Sequence, residues 1–167
     1  GRIDLLVSNA GGSRELDLTT LDACFDLTRE IRVNYEGAVN VIAEFLPLLK
    51  AGAPSNLVIV GSGYGLVPSP RVPLYSASKA ALHSLATTLR RALAPLDISV
   101  TEVCPPVVDT PSVQHRRVSK MRPHDVVAQT LAGARKGRPT VYPGKTKFLP
   151  LLNRLAPALA ERIVARS

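Results

Sequence analysis

Aromatic side chains make up only 4% of this 167-residue chain, and cysteine and histidine are scarce, at two and three residues. Each shortage excludes something. Without Phe or Tyr interleaved among its basic clusters the chain has no stacking platform for bases, so nucleic acid is not an expected partner. Cys24 and Cys104 stand far apart in apolar surroundings, which reads as two buried thiols in a reducing, cytoplasmic setting. His83, His115 and His124 are scattered, no cluster has metal-ligand spacing, and no metal is expected. No apolar run reaches 18 residues, and no charged stretch leads into a short apolar one, so neither a membrane span nor a secretory leader is predicted. Finally, no Gly-x-Gly-x-x-Gly turn opens a helix, so no helix N-terminus is evidently built to cradle a pyrophosphate. Gly61-Ser62-Gly63-Tyr64-Gly65 comes nearest, and it reads better as a loop on the substrate side.

What is present suits one domain. The apolar content of 46% supports a core, and neither repeats nor low-complexity runs break the chain. Apolar runs at Leu5–Val7, Asn56–Val60, Ile98–Val103 and Thr140–Tyr142 predict strands. Helical periodicity covers Leu18–Leu27, Glu30–Leu49 (broken near Pro47 and closed by Gly52), Leu74–Ala94 (ended by Pro95) and His124–Arg135 (introduced by Pro123). Strands alternating with helices predict an α/β fold, a parallel sheet covered on both faces in three layers. The tail from Phe148 to Ser167 is apolar with intermittent Arg, and Ala158–Val164 predicts a short amphipathic helix. Packing on its own domain is the expected outcome, with a pocket cover, self-association or a membrane surface as alternatives.

Charge is uneven. Residues 1–83 carry 7 basic and 8 acidic side chains, whereas residues 84–167 carry 14 and 5. The excess at Arg90-Arg91, Arg116-Arg117, Lys120-Met121-Arg122 and Arg135-Lys136-Gly137-Arg138 reads first as a solvated surface. A phosphorylated cofactor, an acidic substrate or an anionic membrane are the other readings.

The most informative pattern is polar. Tyr75 and Lys79 are four residues apart on a predicted helix and so share a face, while Ser62 follows the strand run Leu57-Val58-Ile59-Val60. A phenol with a pKa of about 10 is a weak acid or base at neutral pH, but an ammonium one turn away favours the phenolate. A serine hydroxyl at the end of a neighbouring strand can hold a carbonyl oxygen as charge develops on it. A Tyr–Lys pair alone arises on any solvated helix face. Three strand ends running into Ser8-Asn9-Ala10-Gly11-Gly12, Gly61-Ser62-Gly63 and Cys104-Pro105-Pro106 add weight, because in a parallel sheet these gather along the carboxyl edge, where ligands bind.

Tyr75-Ser76-Ala77-Ser78-Lys79 with its upstream Ser62 resembles the Tyr-x-x-x-Lys motif and serine of the short-chain dehydrogenase/reductase family. Asn9-Ala10-Gly11 is similar to that family's Asn-Asn-Ala-Gly turn, with Ser8 in the first place. Asn34 matches its catalytic asparagine, and Pro105-Pro106-Val107-Val108-Asp109-Thr110 its Pro-Gly-x-x-x-Thr loop, with Pro106 replacing a glycine. The Pro-Pro-Val-Val-Asp-Thr wording resembles the branch containing the oxidoreductase associated with D-alanylation of cell-wall teichoic acids.

The resemblance implies a Rossmann-type domain and a reaction that interconverts a small-molecule carbonyl and alcohol with NAD or NADP. It implies Tyr75 as general acid/base, Lys79 tuning it and bonding the cofactor ribose, Ser62 orienting the carbonyl and Asn34 holding a relay water. Asn9, Ala10 and Gly11 would line the adenosine and ribose side; Pro105, Val108 and Thr110 would meet the nicotinamide. By the same resemblance, Asp109–Arg122 is the substrate loop, the helices at Glu30–Leu49 and Leu74–Ala94 are where subunits pair, and the chain reads as the catalytic part, residues 1–167, of a domain whose phosphate-binding turn lies upstream. A first strand left as an edge would then expose apolar surface. The competing reading is a noncatalytic binding or regulatory protein that keeps the fold.

Overall fold

The computed structural model describes residues 1–17, 19, 28–114 and 118–165. The expected helix at Leu18–Leu27, Cys24, His115 and the Arg116-Arg117 pair lie outside the described residues, Thr19 excepted.

Four strands, β1 (Leu5–Ser8), β2 (Ser55–Val60), β3 (Ile98–Val103) and β4 (Thr140–Val141), form one sheet in the order β1-β2-β3-β4, every neighbouring pair parallel. Register places Val60 opposite Val103 and Ser8 opposite Ile59, so the chain leaves β1, β2 and β3 on the same edge. The crossovers are helical. Between β1 and β2 run α1 (Arg29–Ile31), a π-helical turn over Arg32–Glu36, and α2 (Gly37–Ala51); between β2 and β3 runs α3 (Pro73–Leu93); between β3 and β4 runs α4 (Pro123–Arg135).

Alternation along the strands sorts the core into two layers. Leu57, Ile59, Ile98 and Val100 face Ile42 and Leu49 of α2 and Leu82, Ala86 and Leu93 of α3. Val58 and Val103 point the other way, to Ala134 of α4 and Val141 of β4. Both faces are therefore covered, as the continuous apolar runs predict. Strand β1 pairs only with β2 among the described residues. Leu5 and Val7 on its outer side are 43% and 48% exposed, which agrees with the expected apolar edge.

One expectation needed revision. Helix α2 runs unbroken through Pro47. The carbonyl that loses its donor belongs to Ala43, and both residues are exposed, so water can replace the bond while Ile42 and Leu49 hold the helix to the sheet. Pro150 sits in the first turn of α5 (Leu149–Leu155), where a missing N–H is tolerated. Helix α6 (Pro157–Ala165) matches the expected tail helix. The pair packs on its own domain through Leu149, Leu152, Ala160 and Val164 against Tyr64, Leu66 and Val67, leaving Phe148, Leu151, Leu155, Leu159 and Ile163 facing outward. Among the described residues no helix is long and apolar enough to cross a membrane.

The end of α2 is locked to the entry of β1. The Ile3 N–H donates to the Leu48 carbonyl at 3.1 Å, and a methyl group on Gly52 would run into the Ile3 carbonyl. Gly52→Ala is therefore expected to cost about 1–3 kcal/mol despite alanine's better helix propensity. The check is a urea unfolding curve with a lowered midpoint and an unchanged slope.

Candidate active site

Helix α3 begins at Pro73, whose fixed φ and absent N–H suit a first turn, and places Tyr75 and Lys79 on one face. The Ser76 hydroxyl fastens that first turn, donating to the Val72 carbonyl at 2.9 Å and accepting from the Ser69 N–H at 3.1 Å. Lys79 is only 3% exposed, and its Nζ donates to the carbonyl of Val60, the last residue of β2, at 2.8 Å. The same Nζ lies 5.5 Å from the centre of the Tyr75 ring. Burial pulls the lysine pKa down to about 8, and the neighbouring Cys104 and Glu102 side chains oppose that shift only in part.

Ser62 stands two residues beyond Val60 in extended backbone, and caps the short turn Gly63–Gly65 by accepting the Tyr64 N–H at 3.2 Å. That turn carries the Tyr64 ring to the Tyr75 ring, edge to face at 6.3 Å between centres. A Cβ on Gly65 would meet the Lys79 carbonyl at 2.8 Å, so the loop and α3 touch through main chain. The serine loop and the Tyr–Lys helix thus form one wall.

Asn34 is fully buried at the centre of the π-helical turn, where the widened backbone aims its side chain inward. Its Oδ1 accepts the Gly12 N–H at 2.8 Å, and its Nδ2 donates to the Gly12 carbonyl and to Ser78 Oγ, each at 2.9 Å. Ser78 passes its own proton to the Tyr75 carbonyl at 2.7 Å. One amide therefore ties the loop after β1 to α3. A Cβ on Gly11 would sit 2.9 Å from Asn34 Oδ1 and 3.6 Å from Lys79 Nζ, so a glycine there keeps the space between those two polar atoms open.

Asn9, Ala10 and Gly11 lie exposed at the carboxyl end of β1, and Pro105, Val108 and Thr110 follow β3 on the same edge, half-buried. The loop after β3 is pinned at both ends, with the Asp109 N–H donating to the Met121 carbonyl and the Met121 N–H to the Val107 carbonyl, both at 2.9 Å. Among the described residues no group of three or more His, Cys, Asp or Glu side chains is placed to hold a metal ion.

Beneath this edge lies a polar group that the motif did not point to. Glu102 of β3 is 1% exposed and its Oε2 lies 2.7 Å from Nδ1 of His83, one turn after Lys79 on α3. A charged residue in the middle of a strand was the signal available. Burial and the neighbouring Glu102 push the Cys104 thiol well above its ordinary range, so it is protonated at neutral pH. Burial likewise raises the Tyr142 phenol to about 12.

A family model described as short chain dehydrogenase matches residues 1–120. The chain belongs to the short-chain dehydrogenase family. Among its relatives are "Uncharacterized oxidoreductase DltE" of Bacillus subtilis (strain 168), 38% identical over 109 residues that make up 65% of this chain and 43% of that protein. A second is a 3-ketodihydrosphingosine reductase of Dictyostelium discoideum, 35% identical over 131 residues, 77% of this chain and 38% of that one. The chain spans less than half the length of these curated relatives. Among solved structures, a short chain dehydrogenase from Burkholderia cenocepacia J2315 in complex with NADP superposes with a TM-score of 0.88 at 27% identity, covering 97% of this chain and 68% of that one. The resemblance to the DltE branch holds at the level of the whole matched segment.

Replacing Asn34 with alanine should unfasten the loop after β1. We expect a loss of about 1–3 kcal/mol, the range for unsatisfied buried hydrogen-bonding groups, and faster amide exchange in a peptide covering residues 9–14. Unchanged exchange there would rule out the tie.

Proposed function

We propose that the protein is an NAD(P)-dependent oxidoreductase that interconverts a small-molecule carbonyl and an alcohol, with Tyr75 as general acid/base. The observation that carries this reading is the buried Lys79 ammonium beside the Tyr75 ring, anchored to the strand that delivers Ser62.

The fit to a nicotinamide cofactor rests on the donor set. An ammonium has three N–H groups. One is used on the Val60 carbonyl, which leaves donors for ribose hydroxyls in the gap that Gly11 keeps open. Asn9, Ala10 and Gly11 would line the adenosine and ribose side, and Pro105, Val108 and Thr110 the nicotinamide side. When bound, the cofactor supplies or accepts the hydride.

The chain's own residues handle the proton and the orientation. Ser62 donates a hydrogen bond to the substrate oxygen and fixes the carbonyl against the Tyr75 hydroxyl. Tyr75 hands its phenolic proton to that oxygen as negative charge builds there, and takes a proton back in the reverse direction. The Lys79 ammonium stabilises the phenolate left behind. Asn34 would hold a water on the path that returns the proton from solvent past Lys79. In this reading the described parts of the loop after β3, residues 109–114 and 118–122, border the substrate.

The test is spectrophotometric, following NADPH and NADH oxidation by the full chain across a panel of aldehydes and ketones. Tyr75→Phe should lower kcat by about 10²-fold or more, and Ser62→Ala by a similar factor. Wild-type-like turnover in Tyr75→Phe sinks the assignment, and cofactor binding without turnover in any variant favours a noncatalytic binder. The pH dependence has a definite sign. Lys79 is charged below about pH 8 and loses its proton above it. Turnover in the reductive direction should therefore decline as pH rises through about 8, with no matching decline on the acid side of that value.

A further inference from the structure

Four polar side chains meet between α3 and the carboxyl end of β3. Lys79 and His83 are a helical turn apart on α3 and so project from one face; Glu102 and Cys104 are two apart on an extended segment and project to one side of the sheet. Glu102 is enclosed. Its Oε2 is held by His83 Nδ1, its Oε1 is buried without a strong donor, and a Cβ on Gly61 would strike that oxygen at 2.5 Å. Gly61 lies between Val60, whose carbonyl anchors Lys79, and Ser62, and the Gly61 N–H donates to the Val103 carbonyl at 2.8 Å. The carboxylate is thus wedged under the peptide that carries both anchors.

A carboxylate removed from water persists only with compensation. The charged and titratable groups around it are Lys79 and His83 from α3, Cys104 beyond β3, and Tyr142 beyond β4, with Arg90 further along α3 acting on Tyr142. Cys104 and Tyr142 are both neutral at physiological pH, because burial raises their pKa values. Glu102 is then the source of negative charge acting on the buried ammonium among these groups. His83 has about a third of its side chain exposed, so the pair reaches solvent through the imidazole.

We propose that Glu102, clamped by His83, is a positioning residue for Lys79: its carboxylate is the fixed counter-charge that keeps the ammonium protonated beneath the cleft. The assignment rests on the oxidoreductase reading only for its catalytic meaning. It touches neither substrate nor cofactor, and acts through Lys79.

The decisive experiment is a 13C NMR titration of the full chain labelled at lysine Cε, with the Lys79 signal assigned from its absence in Lys79→Arg. The wild-type midpoint is expected near the depressed value of about 8. Glu102→Gln keeps size and hydrogen bonding but removes the charge, and should move the midpoint down by about one pH unit or more. Glu102→Asp keeps the charge and should fall between the two. An unchanged midpoint in folded Glu102→Gln overturns the proposal. If that variant fails to fold, His83→Ala decides the matter from the solvent side: a smaller downward shift supports the clamp, and no shift overturns it. The alkaline limb of the pH–rate profile should move with the NMR midpoint. An absence of turnover in the wild type would defeat the oxidoreductase reading while leaving the titration to judge Glu102 alone.

Discussion

A lysine ammonium taken almost entirely out of water is the constraint around which this molecule is arranged. Removing such a group from solvent costs several kcal/mol even after relaxation, so the fold must return part of that cost through fixed polar partners. It does so with the main-chain carbonyl that ends β2 and with the carboxylate of Glu102. Neither partner neutralises the lysine completely. The outcome is a cation that titrates near neutrality, which a solvated lysine cannot do.

Topology makes that arrangement reachable. Parallel strands joined by helical crossovers bring β1, β2 and β3 to a single edge, and α3 starts close enough to that edge for its first two turns to lie over it. Small residues then decide how near the parts may come. Gly61 admits the glutamate beneath the serine loop, Gly65 admits the backbone of α3, and Gly11 keeps clear the volume between Asn34 and Lys79. Apolar burial on the two sheet faces supplies the stability, and the carboxyl edge spends some of it on polar groups.

Much of this was legible in the residue string, for identifiable reasons. Strand β2 carries the apolar run Leu57-Val58-Ile59-Val60 and is followed by Gly61, β3 sets Ile98, Val100 and Val103 among polar residues ahead of Pro105, and helices α3 and α4 open with proline. The Tyr75, Lys79 and Ser62 pattern carries its own chemistry at recognisable spacing. Features that depend on contacts distant in the chain were harder to see. The π-helical turn around Asn34 holds a buried amide whose partners, Gly12 and Ser78, are 22 and 44 residues away. Pro47 was read as a break because its exposure, which lets water satisfy the freed carbonyl, is a tertiary property. Nothing beside His83 in the sequence points to Glu102, 19 residues on, which β3 brings against it.

Several of the polar ties that hold the cleft end on peptide groups. Lys79 grips the carbonyl of Val60, Asn34 both peptide groups of Gly12, Ser78 the carbonyl of Tyr75, and Thr146 the carbonyl of Cys104. A peptide carbonyl is present whatever residue bears it. Mutation at the gripped positions therefore leaves the grip itself intact, provided the new side chain fits. Such a scaffold can change its rim and the shape of what it admits while its inner framework stays unaltered.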